Sequence, residues 1–291
     1  MALAPASRYK SSMFSWFRKN VGDASNDNSG SGITGAEFIE CSDAADQIEF
    51  LCDLYKVTGA VSASALVEFV RSKSDDWPDC VLFATLDWFG QAAYTSGHSV
   101  NMHDLDSIDG HDLSDLDPAA FEDGEHIGYL TTKSEFPIRK SNFLKQAGTK
   151  KFSDVCGALA WDSEDCESDF FDMNSNHDVV LDDFAYVQVV PVDHPHEAIS
   201  AFPNGYFTSD LSPFDNYAVA RHIHEKFGYS LFGIGASYLG FMREDKLAAD
   251  LAASLAEDIA LLYGEGGNEN LKRKIRDCIF GQDILMLRYT E

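Results

Sequence analysis

Basic residues are scarce in this chain. Its 291 residues hold 22 Lys and Arg against 48 Asp and Glu, a formal net charge of −26. A protein that grips nucleic acid by neutralising phosphates, or an anionic membrane through a basic face, needs the opposite balance, so neither is expected as a partner. Long apolar runs are missing as well. The uncharged stretch Tyr229 to Met242 contains three glycines and falls short of the roughly 18 residues a membrane span requires. It reads as buried strand. The first residues lack the continuous apolar core of a secretory signal.

Cysteine occurs six times, at Cys41, Cys52, Cys80, Cys156, Cys166 and Cys278, and no pair has CxxC spacing. Cys52, Cys80 and Cys278 sit among apolar neighbours, where a free thiol packs as a small hydrophobe. A disulfide scaffold is not expected, and a reducing cytoplasm is the expected compartment. Signatures of common chemistries are also absent: there is no GxSxG elbow, no HExxH and no GxxxxGK[ST] phosphate loop. Gly233 and Gly235 with Gly240 miss the dinucleotide fingerprint by their spacing and read as packing or bulge positions. No cofactor is implied.

What is present is ample core material. Hydrophobic residues make up 45% of the chain, with 21 Phe, 11 Tyr and 4 Trp, enough for a core without a disulfide or metal staple. Charge is distributed unevenly. Met1 to Gly22 has basic residues and no acidic one, and its aromatic run Phe14 to Phe17 reads as a flexible arm or a short amphipathic segment. Asn101 to His126 and Trp161 to Asp183 each carry nine acidic residues and no Lys or Arg. Together they supply −18 of the −26, and such runs are expected as solvated loops because unpaired carboxylates are costly to bury.

Periodicity organises the rest. Glu37 to Cys41 reads as a strand, followed by a helix capped at Ser42 or Asp43 and carrying Ala45, Ile48, Leu51, Cys52 and Tyr55. Ser62 to Arg71 reads as a second helix, and Cys80 to Ala93 as a central strand, with helix left open there by periodicity alone. His126 to Thr131 is a further candidate strand. Phe184 to Val192 is apolar almost throughout, as in a strand buried on both faces. Ser212, Pro213 and Asp215 form a helix start, with Ser212 as N-cap, and Gly228 ends that helix. Asp245 to Tyr263 and Asn268 to Phe280 are later helices, and Asp283 to Tyr289 is a last strand. The fold expected is α/β or α+β, a mixed sheet with helices packed on it, divisible into two sub-domains. The divisions are a disordered arm and linker over 1–35, an α/β region over 36–160 with its acidic loop at 101–126, an acidic connection over 161–183, and a C-terminal α/β domain over 184–291.

Two acidic segments approach calcium-loop spacing. The one beginning at Asp104 has Asp109 where glycine is needed, and the one beginning at Asp172 has His177 there. Asp193, His194, His196 and Asp210 form a candidate metal set, to which His222 or His224 would be added. His222 and His224 are two apart and cannot chelate together from one regular helix.

Tyr186 to Glu265 resembles the bacterial family catalogued as domain of unknown function 4253. The resemblance lies in Val189-Val190-Pro191-Val192 with Asp193, Asp210-Leu211-Ser212-Pro213, Phe227-Gly228-Tyr229-Ser230-Leu231-Phe232, Tyr238-Leu239-Gly240-Phe241 and the helix from Leu247 to Leu262. Where that family has an asparagine ahead of the helix-opening proline, this chain has Asp210, with Asn204 and Asn216 nearby. The resemblance implies a C-terminal α/β domain and no chemistry.

Two functional expectations follow. The favoured one is a non-enzymatic acidic binding protein, an inhibitor or immunity-like protein for a basic protein partner. Its acidic patches (Asp104, Asp106, Asp109, Asp112, Asp115, Asp162, Glu164 and Asp165) would steer association. The alternative is a metal-assisted hydrolase or transferase built on Asp193, His194, His196 and Asp210.

Overall fold

Runs of apolar and β-branched residues supply the strands. In the computed structural model, which describes residues 32–41, 50–161 and 164–290, these are β1 (Ile33–Ile39), β2 (Leu54–Ser62), β3 (Val81–Thr85), β4 (Phe121–Glu122), β5 (Glu125–His126), β6 (Val180–Val190), β7 (Ser230–Ile234), β8 (Tyr238–Met242) and β9 (Ile284–Arg288). Seven of them join in one sheet in the order β1-β2-β6-β3-β7-β8-β9, while β4 and β5 pair apart from it. β3 and β7 run parallel, and every other neighbouring pair is antiparallel. The sheet is therefore mixed and, with its helices, makes an α/β fold.

Helices cover both faces. They are α1 (Ala63–Ser74), α2 (Phe89–Met102), α3 (Phe136–Ala147), α4 (Glu164–Ser175), α5 (Pro213–Phe227), α6 (Ala249–Leu262) and α7 (Glu269–Ile279). The near-continuous apolarity of β6 matches its position. Ala185, Val187 and Val189 pack on one face with Leu66, Val67 and Val70 of α1. Tyr186 and Val190 enter the larger core on the other face, with Phe143, Ile223, Ile259 and Ile275 from α3, α5, α6 and α7. Strands from before and after residue 161 alternate across this sheet, so it is not parted at the acidic connection.

The best local match between sequence and structure is α5. The Ser212 hydroxyl accepts from the Asp215 backbone N–H at 3.2 Å, and the Asp215 carboxylate accepts from the Ser212 N–H at 3.2 Å. Gly228 ends the helix at φ 71°, a left-handed conformation that costs glycine little. Ser212→Ala removes one side of this reciprocal cap. It should lower the unfolding free energy by about 1 kcal/mol in urea titration, and an unchanged midpoint would show the cap to be redundant.

Several elements differ from expectation. The first strand begins at Ile33, inside the segment read as linker, because β2 pairs with it from Gly59 to Leu54. Tyr55 lies in β2 rather than on a helix, and residues 42–49 lie outside the description, as does the arm over 1–31. Cys80 to Ala93 divides into β3 and the first turn of α2. His126 to Thr131 contributes only His126 to a strand. The second acidic stretch contains all of α4 and the start of β6. Asp172 to Ser175 is thus helix, which removes the loop geometry a calcium site there would need.

Candidate functional site

The segment between α2 and α3 is long, largely irregular and yet firmly held. One face of α3 anchors it. Arg139, itself buried, donates from Nε to Asp106 Oδ1 at 2.6 Å and from Nη2 to Asp106 Oδ2 at 2.7 Å. One turn on, Asn142 Nδ2 donates to the carbonyls of Leu105 at 3.0 Å and Ser107 at 2.8 Å, and its Oδ1 meets His111 Nε2 at 3.0 Å. Gln146 Nε2 reaches the His103 carbonyl at 2.9 Å. Positions 139, 142 and 146 share one helix face, so the loop is clasped from His103 to His111.

The far end of the loop closes on Glu135, which is fully buried. Its Oε2 accepts from the backbone N–H groups of Thr131 at 2.8 Å and Thr132 at 2.7 Å. Gly128 N–H donates to His126 Nδ1, which leaves Nε2 to donate to Glu135 Oε1 at 2.7 Å. Burial pushes the Glu135 carboxyl up, but these donors outweigh it and hold the group below the usual glutamate value. Buried Leu105, Ala120 and Leu130 seat the loop on the core.

This scaffold presents Asp104, Asp109, Asp112 and Asp115, followed by Asp117, Glu122, Asp123 and Glu125, all exposed. None of them has a cationic partner among the described residues. Asp106 differs from its neighbours, because its charge is spent on Arg139.

The second acidic stretch is employed otherwise. Glu167 pairs with Lys274 at 2.5 Å, Asp169 with Arg288 at 3.2 Å, and Asp182 accepts from the Phe89 N–H at 3.2 Å. Asp178 accepts from the Ser64 hydroxyl. Asp162 lies outside the described residues, and Glu164 and Asp165 open α4. The two stretches, alike in composition, are thus unlike in use. A groove of 540 Å³ adjoins the second one, between Ser64 and Arg71 of α1 and the turn at His177. Its Arg71 pairs with Asp283 at 3.2 Å across the floor.

The proposed ligand set for a metal is not assembled. Among the described residues no group of three or more His, Cys, Asp or Glu is arranged to hold a metal ion. Asp193 and Glu197 approach Lys140 at 3.8 Å and 3.4 Å. Asp210 accepts from the Phe207 N–H at 3.3 Å. His194 stacks on His196 with ring centroids 5.3 Å apart, and His224 lies 5.8 Å from His196 with its Nδ1 on the Tyr229 carbonyl at 3.0 Å. His222 points elsewhere, to Asp258 at 2.7 Å, as its spacing from His224 requires. His196 is buried with no partner for Nδ1. Burial, with His224, His194 and Arg221 adding to it, pushes its imidazole down to about 4.

A second buried ionisable group sits at the other end of the sheet. Asp87 lies two residues past the end of β3, where the carboxyl ends of the parallel strands β3 and β7 lie side by side. Its Oδ1 accepts from the N–H groups of Ser237 and Tyr238, both at 3.3 Å, in the turn between β7 and β8. Gly235 allows this approach, since a Cβ there would collide with the carboxylate. Burial is the main influence on Asp87, and it pushes the carboxyl up to about 6 against those hydrogen bonds. The sequence signal for this residue was an acid placed directly after the apolar run Val81 to Leu86.

Comparison with family models, with curated proteins and with solved structures returned no match.

Proposed function

We propose that this chain is a binding protein for a basic protein partner, and that the clasped loop between α2 and α3 is the surface it presents. The observation that supports this is the fixed position of a row of carboxylates with no cationic partner among the described residues. Like charges held together raise the free energy of the isolated protein, and a cationic partner relieves that cost. Because the loop is already ordered by Arg139, Asn142 and Glu135, little conformational entropy is lost when the partner arrives. An inhibitor or immunity-like role, covering a cationic active-site groove, fits such a surface. The hydrolase alternative has no comparable support, since its histidines and aspartates do not meet as a ligand set.

The test uses Asp109→Asn, Asp112→Asn and Asp115→Asn together. These side chains are exposed and pair with no cation among the described residues, so the fold should survive. Association with an oligolysine peptide, followed by stopped flow in low and moderate salt, should slow by about tenfold in the triple variant and lose much of its salt dependence. Equal rates and equal salt slopes in the two proteins would end the steering idea.

A further inference from the structure

The helix that leads into the acidic loop has an outer face of a different character. α2 contains no Asp, Glu, Lys or Arg in its 14 residues, in a chain whose net charge is −26. Its outer stripe runs through Gln91, Tyr94, His98 and Met102, at spacings of three and four, with Trp88 at its head. Trp88 is 45% exposed, Tyr94 56% and Met102 58%. The stripe continues off the helix through ring contacts. Tyr94 meets His98 at 4.3 Å, His98 stacks on Tyr206 at 4.8 Å, and Tyr206 meets exposed Phe207 at 5.4 Å.

Two further observations bear on this face. The first is backbone strain: Trp88 adopts φ 44°, ψ 65°, a left-handed conformation unfavourable for a bulky aromatic residue. The side chain held there is left in solvent, so core packing does not account for its retention. The second is the placement of charge. Asp182 binds the first N–H of α2, exposed Asp183 follows it, and Asp104 with the clasped loop begins where α2 ends. An uncharged aromatic stripe is bordered by carboxylates at both ends.

We infer that this stripe is the docking centre for an arginine-bearing segment of the partner, whose guanidinium groups stack on Trp88, Tyr94 and the Tyr206–Phe207 rings while the bordering carboxylates take up its remaining charge. This rests on the binding function proposed above and names where and what it binds. Arginine suits the surface better than lysine. The guanidinium is planar, weakly hydrated and stacks on aromatic faces, whereas an ammonium is a compact, strongly hydrated charge. Aromatic anchors inside a charged rim are also the usual distribution of binding energy in an interface.

The experiment titrates the full chain with an oligoarginine peptide and an oligolysine peptide of equal length by calorimetry, in low and moderate salt. Oligoarginine should bind about tenfold more tightly. Trp88→Gly and Tyr94→Ala should abolish that preference while leaving the salt slope intact. Glycine accepts the left-handed backbone at position 88, so the melting temperature of Trp88→Gly should not fall below that of the parent. Equal binding of the two peptides, lost on neutralising Asp109, Asp112 and Asp115, would overturn the aromatic docking centre and leave the acidic binding function standing. Failure of both peptides to bind would overturn that function too. Sedimentation showing a dimer that Tyr94→Ala dissociates would make the stripe a contact between copies of this chain and overturn the inference.

Discussion

Asp87→Asn should stabilise the protein at neutral pH by about 3 kcal/mol, and the gain should disappear in acid. In the folded chain Asp87 titrates at about 6, against 3.8 for an unperturbed aspartate. The folded state therefore takes up a proton more readily than the unfolded one. Below 3.8 both states are protonated and burial of the group carries no ionisation cost. As pH rises from 3.8 through about 6 that cost grows, and above about 6 it is fully present. Asparagine keeps an oxygen for the Ser237 and Tyr238 N–H groups and removes the charge. Urea unfolding of both proteins across this range is the measurement. Parallel stability profiles would show that Asp87 is not desolvated as the structure places it.

His196→Phe should produce the opposite signature. The His196 imidazole titrates at about 4 in the fold against 6.5 when unperturbed, so the unfolded chain binds its proton first. Stability is then intact above 6.5 and is lost progressively as pH falls toward about 4, by about 3 kcal/mol in total. Groups facing this ring work in the same direction: His194 from the preceding turn and His224 and Arg221 from α5 all oppose its charge. Phenylalanine retains an aromatic ring against Tyr217, which lies edge-on at 5.1 Å, and removes the titratable nitrogens. The variant should lose about 3 kcal/mol less than the parent between neutral pH and pH 4, read from the same urea series. A parent and variant that decline together would place the acid sensitivity elsewhere.

The two effects share a pH window and have opposite signs. Acid relieves the burial of Asp87 while it penalises the burial of His196. In the parent chain their contributions nearly cancel, and each single variant should expose the slope that the other group conceals. They sit at opposite ends of the sheet, Asp87 at the carboxyl ends of β3 and β7, His196 after the carboxyl end of β6, so in the double variant the changes should add.

Legibility in the sequence followed the range of the interactions involved. The start and stop of α5 were readable because Ser212, Asp215 and Gly228 act on backbone groups within one turn of themselves. β6 was readable because burial on both faces leaves no polar alternation. Tyr55 is ambiguous by sequence because Ile48, Leu51, Cys52 and Tyr55 satisfy helical spacing as well. Pairing of Leu54 with Gln188 and Tyr55 with Val187 decided for strand, and that pairing spans more than a hundred residues. The second acidic stretch has the composition of a solvated loop, yet its helix buries Phe170, Met173 and Asn174. Asn174 bonds the N–H of Met286 at 2.8 Å and its carbonyl at 2.9 Å, as a neighbouring strand would.

The chain alone determined its surplus of negative charge, the concentration of that charge in two segments, the caps of α5 and the apolar strands that would build a mixed sheet. Only the tertiary structure decided which of the described carboxylates are paired, by bringing Lys274, Arg288 and Ser64 to the second segment and Arg139 to the first. It also decided that Asp87 and His196 are desolvated and that a strained tryptophan heads an uncharged helix face. Caps and periodicity depend on residues within about four positions of one another, which a sequence displays directly. Ion pairing and desolvation depend on which distant residues meet in space, and that is settled when the sheet assembles.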